Sequence, residues 1–253
     1  MEKKGIVVEL DKILSNFKKE LDRTCELIVY VDNWSKKSYA ELIDISNGLE
    51  AAMRGEHKEG SELVKVPADL VARLTQDTRE RAGHIIEMPE LTLRMAFVHL
   101  VTLFEASLSD LIRAILFSRP SMLKSKRQIS YEEVFSVETM SDLVGKVIDR
   151  EASDLTYGTV DDIFEHIKSK LHVPFELTPE ERLEITTAKA RRNILVHNQG
   201  KVDSKFLRLA PSLNYSLGQQ IKISATDCRE AQKVFRKVIG SLVDSIERKY
   251  AKA

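Results

Sequence analysis

Apolar residues recur at the helical period along most of the chain. VVELDKILSNFKKELDRTCELIVYV sets Val7, Leu10, Leu14, Phe17, Leu21 and Ile28 close to one face, which predicts a long first helix. SYAELIDISNGLEAAM resumes the pattern after Ser38, and RGEHKEGSELVKV at 54–66 interrupts it with two glycines and many charges, as a mobile loop would. Pro67 then opens a helix to about His84, and Pro89 begins a second, ELTLRMAFVHLVTLFEASLSDLIRAILF. That helix is apolar on more than one face and is expected at the centre of the fold. RPSMLKSKRQI at 119–129 is a basic connector. Ser130 and Ser136 resemble helix starts, with further helices to about Leu171.

In the second half, Thr178, Pro179, Glu180 and Glu181 supply an N-cap, a first-turn proline and first-turn acids. Gly200 supplies a left-handed cap at the other end, so RRNILVH occupies the last two turns. YSLGQQIKISATD alternates as a small hairpin would, and Thr226 and Asp227 cap a final helix ending near Tyr250. The expected fold is an all-α helical bundle with one short β-hairpin near residues 213–224. Residues 1–88 are expected as an N-terminal helical arm and residues 89–253 as the main bundle.

Composition narrows what such a bundle does. Hydrophobic residues at 43% support a real core, and 39 basic residues balance 39 acidic ones. A nucleic-acid site must therefore be a local patch. Cys25 and Cys228 fit neither a disulfide framework nor a metal cluster and point to a reducing compartment. The start lacks the apolar stretch of a cleavable signal, and His99, Glu105, Asp110 and Arg113 break the apolar run at 95–117, so a cytoplasmic protein with no membrane contact is expected. No Gly-rich phosphate loop, GxSxG or HExxH occurs, and His166 and His172 are not at a ligand spacing, so neither metal nor cofactor is expected. Asp161, Asp162, Glu165 and His166 read as a solvated helix turn.

One stretch stands apart. RRNILVHNQG at 191–200 carries Arg192, Asn193 and His197 into an apolar helical run, where each needs a hydrogen-bond partner if drawn inward. Spacing alone is weak, because Arg79–His84 and Arg94–His99 repeat the same gap. The first of these lies in a charged run that reads as a solvated face. The second places His99 among apolar residues, as a hydrogen-bonded core histidine would be. Only Arg192 is followed by Asn193, a helix end and the tail HNxGxVD through Asp203. Two readings of Arg192 and His197 remain at this point: cations capping a helix C-terminus, or parts of a catalytic site.

R-N-x-x-x-H with that tail resembles the signature of HEPN-superfamily ribonucleases, and FVHLVTLFEASLSDLIRAIL at 97–116 resembles the apolar helix with a Phe-Glu pair that precedes it in bacterial members. The resemblance covers roughly residues 89–250. It implies a metal-independent endoribonuclease of single-stranded RNA, toxin-like in stress or antiphage defence. The alternative is a non-catalytic HEPN scaffold binding RNA, a nucleotide or a protein partner. His197 would be general acid or base, with an ordinary pKa near ~6.5. Arg192 would donate to phosphate oxygens, and Asn193 would orient the imidazole from the same helix face. Lys189, Arg191 and Lys201 either form the local RNA-binding patch or are ordinary surface charges. Glu105 is either an auxiliary polar group near the motif or a salt-bridge partner. Five residues place Arg192 ~140° around an ideal helix from His197, so it must reach round or serve a neighbouring chain. With one histidine per motif, this implies a homodimer through the 178–200 helix region, with an antitoxin or regulatory protein as a further partner.

Overall fold

The computed structural model describes residues 3–56, 65–123, 128–156 and 158–250, without the side chains of residues 3, 4 and 156. Residues 57–64 of the expected loop and 124–127 of the expected connector lie outside the described residues. The described chain is helical: α1 (Lys3–Met53), α2 (Ala68–Ser118), α3 (Tyr131–Phe135), α4 (Met140–Thr156), α5 (Val160–Ser169), α6 (Pro179–His197), α7 (Ser204–Leu209) and α8 (Ala225–Tyr250). Short 3-10 turns occupy Pro120–Met122 and Pro211–Leu213. Among the described residues, no helix is long and apolar enough to cross a membrane.

The first two helices are longer than their sequence pattern suggests. α1 continues unbroken through Ser38, and α2 continues through Pro89, where two helices were expected. Proline has no N–H for the carbonyl of Ile85, a loss of about 3 kcal/mol in a helix interior. α2 survives it because both its halves lie against α1. The boundary expected between residues 88 and 89 falls inside this helix, and Ile6, Leu10, Phe17 and Leu21 of the expected arm belong to the common core.

That core is organised by the second half of α2. Phe97, Leu100, Phe104, Leu108, Ile112 and Ile115 are almost closed to solvent, and α2 touches α1, α4, α6 and α8. Burying each such side chain contributes about 1.5–3 kcal/mol before entropy is counted. Phe104 stacks on Phe235 of α8 with ring centroids 4.4 Å apart. Between Ile28 and Leu93 neither long helix contributes to this core, and the two form a hairpin of their own.

The expected β-hairpin does not form. A 3-10 turn at Pro211–Leu213 and a left-handed Asn214 take up its first half. The alternation in the second half is real, since Ile221 and Ile223 are buried while Lys222 and Ser224 are exposed. This single strand-like segment pairs instead with the loop after α6, through Val202 N–H to the Gln219 carbonyl (2.9 Å) and Ile221 N–H to the Gly200 carbonyl (2.9 Å). Helix starts also shift slightly. Ser224 rather than Thr226 caps α8, accepting from Asp227 N–H at 3.1 Å while its own N–H donates to Asp227 at 2.7 Å. Ser130 and Glu133 form a capping box on α3, Ser136 ends that helix, and Thr139 caps α4.

Candidate functional site

α6 is anchored at both ends before it presents any chemistry. At its start, the Thr178 hydroxyl accepts from Glu181 N–H (3.2 Å), and Glu181 accepts from Thr178 N–H (3.0 Å). Glu181 also takes an ion pair from Lys237 of α8 at 2.8 Å. Burial works to raise the Glu181 carboxyl, but Lys237 and the Thr178 bonds outweigh it and hold the group below its ordinary value.

At the other end the tail HNxGxVD is capping structure. Asn198 N–H and Gly200 N–H both return to the Ile194 carbonyl, at 3.0 and 2.7 Å. The Asn198 side chain donates to the Lys201 carbonyl at 2.5 Å, Val202 is buried, and Asp203 caps α7 by accepting from Phe206 N–H at 2.7 Å. Gly200 sits at φ +79°, and a Cβ there would lie 2.5 Å from Gln220 Nε2, which donates to the Gln199 carbonyl. The left-handed backbone favours glycine, and an added Cβ would also make the exposed Gln220 side chain shift.

Arg192, Asn193 and His197 line one open cleft of about 510 Å³, together with Glu105, Lys189 and a polar row from α2. The ~140° separation expected between Arg192 and His197 therefore does not keep them apart. The cleft lies along α6, and α2 forms its facing wall. Arg192 Nη2 donates to Glu105 Oε2 in a very close contact, and Lys189 Nζ lies 3.2 Å from Glu105 Oε1 while donating to the Gly158 carbonyl at 2.9 Å. All three side chains are four-fifths or more buried. Glu105 thus faces two cations, and the Asp162 carboxyl also feels the charge of Lys189. His197 is exposed at the mouth, its imidazole making no hydrogen bond among the described residues. Asn193 shares the cleft, but among the described residues no hydrogen bond joins its side chain to the His197 imidazole.

The remaining expected site residues lie elsewhere. Arg191 turns away from the cleft to Asp227 of α8, 2.5 Å distant, and its Nε is buried without a hydrogen bond. This pair borders a separate pocket of about 200 Å³. Asp227 is pushed up by burial, but its bonds from Ser224 and Arg191 prevail and place it below its usual value. Lys201 lies beyond the end of α6, bridged through its backbone to Gln220, and is not part of the cleft wall. Neither residue sits where a local RNA patch with Arg192 was expected.

The two spacing-matched pairs take no part in the cleft. Arg79 is exposed, as expected of a solvated face, and also ties α2 to α1 through Ser46 Oγ (3.1 Å) and Glu50 (2.5 Å). His99 is exposed rather than buried in the core. In the acidic turn of α5, Asp162 closes a capping box with Thr159 and Asp161 pairs with Arg182, while burial lowers the His166 pKa.

Thr102, Ser109, Arg113 and Ser153 also line the cleft and were not anticipated. Arg113 is held by Asp149 (2.8 Å) and Asp110 (3.0 Å). The signal was present in the sequence, because Thr102, Glu105, Ser109 and Arg113 recur every three or four residues and form a polar stripe on an otherwise apolar helix. Among the described residues, no group of three or more histidine, cysteine, aspartate or glutamate side chains is placed to hold a metal ion. No family model, curated protein or solved structure matched the chain.

Proposed function

We propose that this cleft is the active site of a HEPN-like endoribonuclease that cleaves single-stranded RNA without a metal ion. The observation that carries the reading is the convergence of Arg192, Asn193 and His197 with Glu105 in one open cleft, His197 standing at its mouth. In the reaction His197 takes the proton of a ribose 2′-hydroxyl, the 2′-oxygen attacks the adjacent phosphorus, and the bond to the 5′-oxygen breaks. The proton held by the imidazolium passes to that leaving oxygen, giving a cyclic phosphate and a 5′-hydroxyl. Arg192 stabilises the extra negative charge on the phosphate. Its Nη2 is engaged by Glu105, which leaves Nη1 for the phosphate, and Lys189 adds positive charge beside it. Asn193 supplies an amide to substrate rather than to the imidazole. In the cell such an activity fits a cytoplasmic, toxin-like role in stress or defence, restrained by an antitoxin or other regulatory protein.

Purified protein incubated with single-stranded RNA in excess EDTA tests the reading. Products ending in cyclic or 3′-phosphate are expected. Mg²⁺-dependent cleavage leaving 5′-phosphates, absent from a His197→Ala control preparation, contradicts it.

A second reading has its own observation. Arg192 is already neutralised by Glu105, and the tail after His197 is explained by capping, as a non-catalytic RNA-binding scaffold would allow. That reading requires RNA binding without cleavage, unchanged by His197→Ala.

A further inference from the structure

A second groove runs beside the cleft, on the other side of α2. It lies between the start of α1 and the second half of α2, and its volume of about 560 Å³ is close to the cleft's, about 510 Å³. Both volumes suit a nucleotide-sized ligand. Ala106 and Arg113 line both voids, and Ala106 is exposed, so at that point the ridge of α2 between them carries only a methyl group. The groove is walled by apolar side chains, among them Phe17 and Leu103, and ends at Phe117, an aromatic ring that is 45% exposed.

From α1, Glu9, Lys12 and Asn16 line the groove, three and four residues apart on one helix face. Among the described residues none of the three side chains makes a hydrogen bond or ion pair, although Glu9 and Lys12 stand at a spacing where helical pairs form. Of the two cations in the lining, Arg113 is committed to Asp110 and Asp149, which leaves Lys12 alone against the carboxylates and makes the groove a poor place for a phosphate. What fits is a flat, uncharged ring with donors on one edge and acceptors on the next. Guanine sets N1–H and N2–H₂ side by side, matching the two oxygens of one carboxylate, with O6 and N7 beside them for an ammonium or an amide. No other RNA base carries two adjacent donor groups on that edge.

We infer that this groove binds a guanine base of the RNA strand that the cleft engages, so that cleavage falls beside guanosine. The position of the scissile phosphate rests on the ribonuclease reading of the cleft. The backbone passes over Ala106, and the base drops between α1 and α2 to stack on Phe117. Glu9 accepts from N1–H and N2–H₂, while Lys12 and Asn16 donate to the acceptor edge. A helix is ~10 Å across with its side chains and narrower at an alanine, a span that one nucleotide covers. α1 lies outside residues 89–250, the range of the family resemblance, and here supplies the specificity of the reaction.

Binding and cleavage are read separately. For binding, the full chain is titrated by fluorescence anisotropy with labelled oligodeoxyuridylates, which lack the attacking hydroxyl, carrying uracil, guanine or hypoxanthine at the centre. The guanine strand should bind roughly tenfold more tightly than the other two, since hypoxanthine lacks the N2 amine. Glu9→Gln should bind all three alike at an unchanged melting temperature. Phe117→Ala should weaken the guanine strand roughly tenfold and the uracil strand much less; where it disturbs the fold, the Glu9 variant decides alone. Equal affinity of the wild-type chain for the three strands overturns the inference, and so does a guanine preference that survives Glu9→Gln. For cleavage, an oligouridylate with one guanosine should be cut beside it. Cutting at every bond alike overturns the inference and leaves the ribonuclease reading intact. A Glu9-dependent guanine preference in binding, with no strand cut, refutes the ribonuclease reading and supports the guanine site.

Discussion

Arg191 and Arg192 are neighbours, both largely buried and both paired with a carboxylate from another helix, yet the two flanks of α6 they serve differ in kind. Arg191 meets Asp227, a residue already committed to capping α8, beside a smaller pocket of about 200 Å³ that holds no histidine. Arg192 meets Glu105 on the wall of an open cleft that also holds His197. A buried charge pair is weak evidence for function, because helix packing uses such pairs too. What separates the two is the company each carboxylate keeps: Asp227 is saturated by Ser224 and Arg191, whereas Glu105 Oε1 has no hydrogen bond and only the ion pair with Lys189.

Exchanging the roles of the two arginines breaks the comparison most severely. Arg192→Ala should lower cleavage about 10²- to 10³-fold, the cost of losing a charge-stabilising donor. Its melting temperature should change little, since Lys189 still faces Glu105 and the cleft admits water. Arg191→Ala should do the opposite, with cleavage nearly unchanged and stability lower by about 2 kcal/mol after allowance for partial exposure, or roughly 5 °C in Tm. Equal losses of activity in the two variants would remove the distinction.

Gly200→Ala addresses the end of α6 that both flanks share. It should destabilise by about 1–3 kcal/mol through the strained φ and the clash with Gln220, as measured by urea denaturation. Retained stability would mean that the tail resembles a capping sequence only by accident.

The acid side of the stability profile sharpens the contrast further. Asp227 and Glu181 both lie below their ordinary values in the folded chain. A carboxylate whose folded pKa is depressed contributes stability fully above its unfolded pKa, near ~4, and loses it as pH falls through the lower folded value. Stability should therefore fall with acid below about pH 4, and Asp227→Asn should make that fall shallower, as followed by thermal melts across pH. An unchanged slope would mean that Asp227 is not charged in the pair.

The smallest effect concerns the two thiols. Burial pushes Cys228 up to about 12 and raises Cys25 less far. At pH 8 a maleimide should modify Cys25 slowly and Cys228 only after unfolding, since the thiolate is the reactive form. Rapid labelling of Cys228 in the native chain would contradict the packing around Leu93 and Arg191.

Local signals made much of this legible. The α6 boundaries were written in Thr178, Pro179, Glu181 and Gly200, because capping depends on neighbours in sequence. The central helix was recognisable from its many-sided apolar pattern. Pro89 misled because a local penalty was overridden by the long contact with α1, which no local window contains. The hairpin near 213–224 misled because alternation reports that one face is buried, not which segment the backbone pairs with. At the site, Arg192, Asn193 and His197 were marked by their spacing and context, and Glu105 by a charge set in an apolar helix. That Arg191 stands outside the cleft was not legible, since adjacent residues on a helix point ~100° apart and only the packing of α2 and α8 decides which direction is open, while Lys201 is placed by the pairing of the loop after α6 with Gln220.

The central claim is that His197 moves the proton of the 2′-hydroxyl, and single-turnover cleavage of a short single-stranded oligoribonucleotide in EDTA tests it most directly. Wild-type protein should cut the all-ribose strand and fail on a strand with one 2′-deoxyribose at the cleaved position. His197→Ala should bind both strands with wild-type affinity, keep its melting temperature, and cut the first at least about 100-fold more slowly. Cleavage of the deoxy-substituted strand, or an undiminished rate in His197→Ala, would contradict the account.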